Sequence, residues 1–422
     1  MNTAPSLLKK VSLILFLAGF LFTGYAQENS DSLSVLRKDA PKVFIDCRHC
    51  DMDHIRREIP YVNYVRDVRE AEVYILETSQ STGSGGRQYA YLFQGYGKFA
   101  GMNDTLVYHS NPDDTRDRIR DGRTRMMSMG LMRFVAKTPM FDKVNIAPAE
   151  NLEEQEVVDR WNYWVFELET APRMELEESL KEWSFDNSIN VSRITPELKF
   201  ESSFDQSFDR NKYLYEDTTY IADRKFWSFD NLLVKSLSDH WSVGGSFEIN
   251  SSSYRNINLH LQFAPAIEYD IFPYSESTRR QLRILYGIGY SMNQYVDTTI
   301  YNKIEEHLLG QQLRMALRVQ QKWGYVNVSM FASNYFHDFS KNRLQFYGYV
   351  NIRVFKGLSF RLGGSVARIN DQLNLAKGDL DEAEILLRIR ELSTAYRIDA
   401  NLGITYTFGS IYNNIVNPRF GN

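Results

Sequence analysis

The residues best equipped for chemistry in this chain are Cys47 and Cys50, its two cysteines, spaced as Cys-x-x-Cys in FIDCRHCDMDHIRREI. The pair lies between a strand-like run and a helix-like run. Thiols so placed have three uses. A helix N-terminus lowers the pKa of the first thiol, which suits redox exchange. Asp51, His49 and His54 stand alongside and offer further donors for zinc. An oxidising compartment closes the pair into a structural disulfide. Thioredoxin-type catalysis also needs a cis-proline facing the pair, and Pro60 is too near in sequence to supply it. The zinc donors crowd into one short stretch without the second ligand cluster usual in structural sites. We therefore read Cys47 and Cys50 as a disulfide staple at a helix start, with free or reversible thiols and a metal site as alternatives. The residues call for no cofactor.

The compartment follows from the N-terminus. In MNTAPSLLKKVSLILFLAGFLFTGYAQENS, Lys9 and Lys10 precede an apolar run from Val11 to about Thr23, and Gly24 and Ala26 fit a cleavage site. Residues 1–26 read as a secretory signal peptide. No cysteine adjoins the cut for a lipid anchor. No later segment has the roughly 18 uninterrupted apolar residues of a transmembrane helix, so a membrane role requires strands. A net charge of −4 and the lack of a basic stripe interleaved with aromatics exclude a nucleic-acid partner. An aromatic content of 14% suits a barrel with interfacial girdles.

After a linker at 27–41, residues 42–150 read as a small α/β domain. KVFID and AEVYILET have strand composition. DMDHIRREI suits a helix with Asp51 or Asp53 at its positive end. Beyond the TGSGG turn, RQYAYLFQGYGKF and DTLVYHS form a hairpin. NPDDTRDRIRDGRTRMMSMGLMRFVAK reads as one helix with NPDD as cap, because Ile119, Met126, Met127, Leu131 and Phe134 recur at helical spacing. TGSGG lacks the Lys-Ser/Thr of a phosphate-binding loop and reads as a hairpin turn.

From 160 to 410 the pattern changes to strict alternation. In QLRILYGIGYSMNQ, Leu282, Ile284, Tyr286, Ile288, Tyr290 and Met292 share one face, and Arg283, Gly287, Gly289, Ser291 and Asn293 the other. YRIDANLGITYTF repeats the pattern. Runs of roughly 11 to 16 residues exceed sandwich strands and match tilted transmembrane strands. Short and long connectors alternate, as in outer-membrane barrels, with DRNKYLYEDTTYIAD, FHDFSKN and the segment between Arg368 and Tyr396 as outer loops. The fold class is thus α+β: an α/β domain followed by an antiparallel transmembrane β-barrel. Twelve strands are expected. The alternative is ten, if WNYWVFELETAPRMEL and EWSFDNSINVSRI belong to the first domain. Residues 411–422 form a C-terminal tail.

The inward positions carry both signs: Lys199, Glu201, Glu248, Glu268, Asp270, Arg283, Arg314, Arg318, Arg353, Arg361, Arg397 and Asp399. Paired charges and water can fill a narrow interior, which gives a scaffold, or the same charges can line a small selective pore. A rim-site hydrolase is a further alternative, since His307 and His337, the latter beside Asp338, fall near outer loops. No nucleophile signature accompanies them.

The segments RITPELKFESSF, LSDHWSVGGSF and LRILYGIGY resemble the salt-induced, YdiY-type outer-membrane barrels over roughly residues 183–410. The element order of the first domain is similar to that of the amino-terminal domain of TolB, without its propeller. Together they look like a group of Gram-negative outer-membrane proteins in which FIDC..CD...IR.EI and NPRF segments recur. The resemblance implies location in the cell outer membrane, with the N-terminal domain in the periplasm. It implies no established activity; we read the protein as an envelope scaffold or interaction protein acting through its first domain, with a narrow channel for small solutes as the alternative. The partners expected are outer-membrane lipid, the barrel assembly machinery, and a periplasmic protein or cell-wall component.

Asn401, Gly403, Tyr406 and Phe408 match position by position the insertion signal that the barrel assembly machinery reads. Aromatic rings two apart favour the membrane interface, and Gly403 leaves room on the inner face. The chain departs from the pattern by continuing through GSIYNNIVNPRFGN, where Phe420 competes as a signal, but Pro418 cannot donate to a strand ladder. Tyr406→Ala combined with Phe408→Ala should leave the protein in the periplasm for degradation. Removal of 413–422 should still yield a heat-modifiable barrel on electrophoresis. The opposite pair of outcomes refutes the internal signal.

Overall fold

The computed structural model of the chain describes residues 37, 39–83, 85–144, 161–215, 218–378, 390–412 and 414. The expected signal peptide, most of the linker, the stretch 145–160, most of GDLDEAEILLRIREL, and Pro418 and Phe420 lie outside the described residues.

Two sheets form. The smaller has the order β2-β1-β3-β4-β5, from β1 (Lys42–Asp46), β2 (Asn63–Tyr64), β3 (Val73–Ser81), β4 (Arg87–Gly95) and β5 (Asn103–Ser110). β1 runs parallel to β2 and β3, and β3, β4 and β5 are antiparallel hairpins. β3 is central and buried from Val73 to Thr78, as its unbroken VYILET composition requires. Helix α1 (Met52–Glu58) starts on Asp51, whose carboxylate accepts from the His54 amide at 2.9 Å. That bond holds Asp51 below the usual carboxylate range.

Helix α2 (Arg116–Val135) is capped by Thr115, not by NPDD. Asn111 and Asp114 instead close a preceding turn, with the Asn111 amide donating to Asp114 at 2.7 Å. A hydroxyl with extended backbone directly before the first turn outcompetes acids farther upstream. Met127, Leu131 and Phe134 face the sheet at 0% exposure, with Ile119 and Met126 packed beside them. Gly130 permits this close approach: a Cβ there would lie 2.1 Å from the Phe93 ring. The opposite face of β3 is also closed, because Tyr74 stacks on Phe44 at 6.2 Å and donates to Asp46.

The larger sheet is antiparallel and sequential through twelve strands. These are β6 (Trp164–Leu176), β7 (Leu180–Ile194), β8 (Leu198–Tyr215), β9 (Thr218–Ser236), β10 (Trp241–Ser252), β11 (Ile257–Asp270), β12 (Arg280–Tyr295), β13 (Glu305–Gln321), β14 (Gly324–Tyr335), β15 (Asp338–Phe355), β16 (Leu358–Ile369) and β17 (Tyr396–Tyr406). β7 pairs with β8 as well as with β6, which excludes the ten-strand alternative. The outer-loop assignment needs correction at two places. β8 and β9 run on as paired strands of 18 and 19 residues through the expected loop, and β15 begins at Asp338 inside FHDFSKN. These polar segments keep their backbone groups paired by extending the ladder.

Register separates the faces across the whole sheet. Arg283 opposes Asp270 and Ala316, Leu285 opposes Glu268 and Arg314, and Gly287 opposes Gln312. The series continues through Arg318, Asn327, Tyr349 and Gly363 to Asn401. The other face carries Leu168, Ile398 and Leu402, which are 76%, 63% and 70% exposed. On the polar face Ser228, Asn250 and Asp270 are 5%, 2% and 0% exposed. The sheet is inverted relative to a water-soluble one: its apolar face is bare, and buried polar side chains such as these lie on the other.

The small domain seats on the end of this sheet where β13–β14 and β15–β16 turn. Arg353 makes a two-pronged bond to Asp46 at 2.8 and 3.0 Å. The Gly357 amide donates to Asp67 at 2.6 Å, and Lys356 pairs with Glu70. A Cβ on Gly83 would lie 2.1 Å from the Ile194 carbonyl, so TGSGG is a contact loop. The tail joins the same domain: Tyr412 bridges to Val65, and the Tyr64 amide donates to Asn414 at 2.7 Å. Asp46→Ala and Arg353→Ala should be coupled by about 0.5–3 kcal/mol in a double-mutant cycle. Hydrogen exchange should read this as faster opening of residues 66–70 and 408–412 with β3 and β4 still protected; unchanged protection there refutes the latch.

Candidate functional site

The end of β1 delivers Asp46 and Cys47 to a four-residue loop that closes at Cys50, and Asp51 then caps α1. Cys47 and Cys50 are at disulfide distance, with Cα atoms 5.8 Å apart. Two residues remote in sequence complete the cluster. Glu77 follows Leu76, the β3 partner of Asp46, and so stands beside Cys47. Arg123 comes from α2, one turn before Met127. Its guanidinium donates to Glu77 at 2.5 and 3.1 Å and to the His49 carbonyl at 2.9 Å. It lies 3.2 and 3.0 Å from the two sulfurs and over the Tyr89 ring at 4.9 Å.

The pair is enclosed: the Arg123 and Glu77 side chains are 13% and 7% exposed. Burial pulls the Arg123 pKa down, but hydrogen bonding and attraction to Glu77 outweigh it and leave it raised. Tyr91 lies opposite Glu77 across the ladder, and burial beside that carboxylate pushes its phenol up. Arg123 thus ties helix, central strand and disulfide loop together at one point.

The metal alternative changes its donor set. Among the described residues the two sulfurs and a Glu77 oxygen lie within 4.8 Å of one another, but the Arg123 cation is already bonded to all three groups. His54 instead pairs with Asp121 at 3.1 Å, and Asp51 is the helix cap. A metal ion would have to displace a fixed positive charge. Sequence reading missed Glu77 and Arg123, although a carboxylate inside a buried strand and a guanidinium on the buried face of a helix each signal that a partner exists.

The charges expected to face inward all fall on the polar face, but their roles divide. Glu268 pairs with Arg283 at 3.7 Å. Arg314 donates to Gln312 at 3.3 Å and lies over Phe331, and Arg318 lies over Tyr325. Lys199 pairs with Glu201 at 3.0 Å. Glu248 accepts from Asn250, and Asp399 from Ser365. Arg361 stands opposite Gly403, whose missing side chain leaves it room, and Arg397 opposite Ala367. Asp270 is a turn brace, accepting from the amides of Phe272 and Leu282 at 3.1 and 3.0 Å. Arg353 is the domain latch. Sequence reading missed Asp371, which folds back to take a two-pronged bond from Arg343 at 3.0 Å.

The candidate rim residues do not converge. His307 contacts Tyr290 at 2.8 Å and Glu305 at 3.3 Å, His337 lies by the Tyr335 ring, and Asp338 accepts from Ser340. Of the residues expected to form an insertion signal, Asn401 and Gly403 lie on the polar face, while Tyr406 and Phe408 pack 5.6 Å apart and are 58% and 78% exposed. Compared with known protein families and curated proteins, the chain matches none.

Arg123→Met strands a buried carboxylate and should destabilise the small domain by about 3–5 kcal/mol. Amide exchange in β3 should then accelerate by on the order of a hundredfold to several thousandfold, at about 1.4 kcal/mol per tenfold. Glu77→Met added to it should restore much of the protection, because the uncompensated charge is gone. No acceleration in the single variant refutes the anchoring role.

Proposed function

We propose that the twelve-stranded sheet closes into a barrel in the bacterial outer membrane and that the small domain sits beneath it in the periplasm. The protein would serve as an envelope scaffold that engages its partner through that domain. The observation that carries this reading is the inverted sheet. From Leu282 to Met292 six outward residues on β12 span ten steps, about 33 Å along the strand. At a tilt of about 40° that covers roughly 25 Å, the height of a barrel's apolar band. Trp241, Tyr269, Trp323, Phe355 and Tyr406 lie on or beside the apolar face at the short-turn end, where an interfacial girdle would be.

The domain's position favours a scaffold over an open pore. The disulfide loop places Arg48 over the Tyr325 ring at 3.9 Å, across the lower end of the polar face. Beneath it lies a cavity of about 550 Å³ lined by Tyr325, Tyr347 and Tyr349 with Asn327 and Asn351. α2 and the edge strand β5 also frame a groove with Tyr108, Arg118, Asp121, Arg125 and Met129, where a partner could seat.

The channel reading draws on further polar cavities of about 500 and 370 Å³ along the same face. Planar-bilayer recording separates the two. The full chain should give no steady conductance, and the Asp46→Ala, Arg353→Ala variant should give intermittent steps. Steady, equal conductance in both refutes the stopper and supports the channel.

A further inference from the structure

Where the small domain meets the rim of the large sheet, a cleft of about 520 Å³ opens. Arg66 and Arg69 enter it from the domain, and Lys322 and Trp323 from the β13–β14 turn. Their charges meet neutral partners. Arg66 donates to the carbonyls of Phe408 and Gly409 at 3.2 and 3.5 Å, and Arg69 to that of Val354 at 2.5 Å. Lys322 lies 5.0 Å from the Tyr96 ring centre. No ion pair among the described residues involves any of these three cations. The one carboxylate lining the cleft, Asp67, is occupied by the amides of Gly357 and Arg69 at 2.6 and 2.9 Å. Arg353, also in the wall, is neutralised by Asp46. Asp67 still offsets one of the three cations, so the cleft keeps a net positive field suited to an oxyanion with several acceptor oxygens.

Its other half is apolar. Phe355 and Leu358 pair across the β15–β16 turn on the apolar side of the sheet, and Phe355 and Trp323 are 53% and 41% exposed. Ser359 and Thr407 enter from the polar side. The cleft thus straddles the rim, with cations toward the domain and an aromatic wall continuous with the bare face. A soluble phosphate ester would use the first half and leave the second wet. An amphiphile uses both.

We propose that this cleft binds the phosphate headgroup of an anionic phospholipid, with its acyl chain laid along the apolar face of β15 and β16. The proposal rests on the barrel reading above. The bound lipid would fasten the small domain to the membrane beside the Asp46–Arg353 latch.

The test uses the full chain refolded into phosphatidylcholine vesicles that carry, at equal mole fraction, either phosphatidylglycerol or phosphatidylcholine with brominated acyl chains. Bromine quenches nearby tryptophan, and the Trp323 contribution is the difference between the wild type and Trp323→Phe. Brominated phosphatidylglycerol should quench Trp323 several-fold more than brominated phosphatidylcholine, and added salt should shrink the difference. Arg66→Gln with Arg69→Gln should abolish the preference. Lys322→Gln, which loses only the cation–ring contact with Tyr96 and keeps the Arg353 bond to the Lys322 carbonyl, should reduce it. Inorganic phosphate on both sides of the bilayer should leave it intact. Equal quenching by the two lipids in protein with heat-modifiable migration overturns the lipid site and spares the barrel. Failure to insert overturns both. Loss of the preference to inorganic phosphate assigns the cleft to soluble phosphate and overturns the lipid.

Discussion

A strand that alternates apolar and charged side chains commits each face to a different surrounding, and twelve such strands in register multiply that commitment into two continuous surfaces. A slip of one residue in any strand would place charges among Leu, Ile and Phe along the apolar face. Everything else depends on this pairing. The bare side holds large apolar residues such as Leu168 and Leu402, more contiguous apolar surface than a soluble monomer exposes. The polar side pairs many of its groups within the sheet, as Arg343 does with Asp371 and as one Asp270 oxygen does with the Leu282 amide.

The small domain solves a different problem. It builds its core in the ordinary way, with helices over one face of a mixed sheet, and then commits the second face of β3 to the rim. Asp46 makes that economical. It ends β1, accepts from Tyr74 at 2.8 Å and holds Arg353, so one carboxylate joins strand, neighbouring strand and large sheet. Burial beside it pushes the Tyr74 phenol up, which keeps Tyr74 a donor. The next residue, Cys47, opens the disulfide loop that Arg123 clamps. Redox state, domain packing and docking therefore converge on a few consecutive residues.

Period-two and helical patterns were readable because both are local. The strands, the helix α2, the core residues Met127, Leu131 and Phe134, and the two faces of the large sheet follow from side-chain spacing alone. The failures share a cause. Thr115 displaced NPDD because caps depend on one residue's backbone. β8 and β9 absorbed an expected loop because polar strands continue pairing after their apolar signal ends. Glu77 with Arg123, Arg353 with Asp46, and Asn414 with Asn63 lie 46, 307 and 351 positions apart. No local pattern encodes such pairs, although an isolated charge in a buried run signals that a partner exists. The described start of the C-terminal tail, Tyr412 and Asn414, docks on the edge of β2 through such contacts.

The claim on which the account turns is that the apolar face meets lipid and the polar face meets water. Single-cysteine spin labels along β12 in vesicles, with the Cys47–Cys50 pair left oxidised, measure it directly. Labels at Ile284, Tyr286 and Ile288 should collide with dissolved oxygen and be shielded from a water-soluble nickel reagent, while labels at Arg283 and Gly287 should show the reverse. Equal exposure of both sets to the water-soluble reagent would contradict the account.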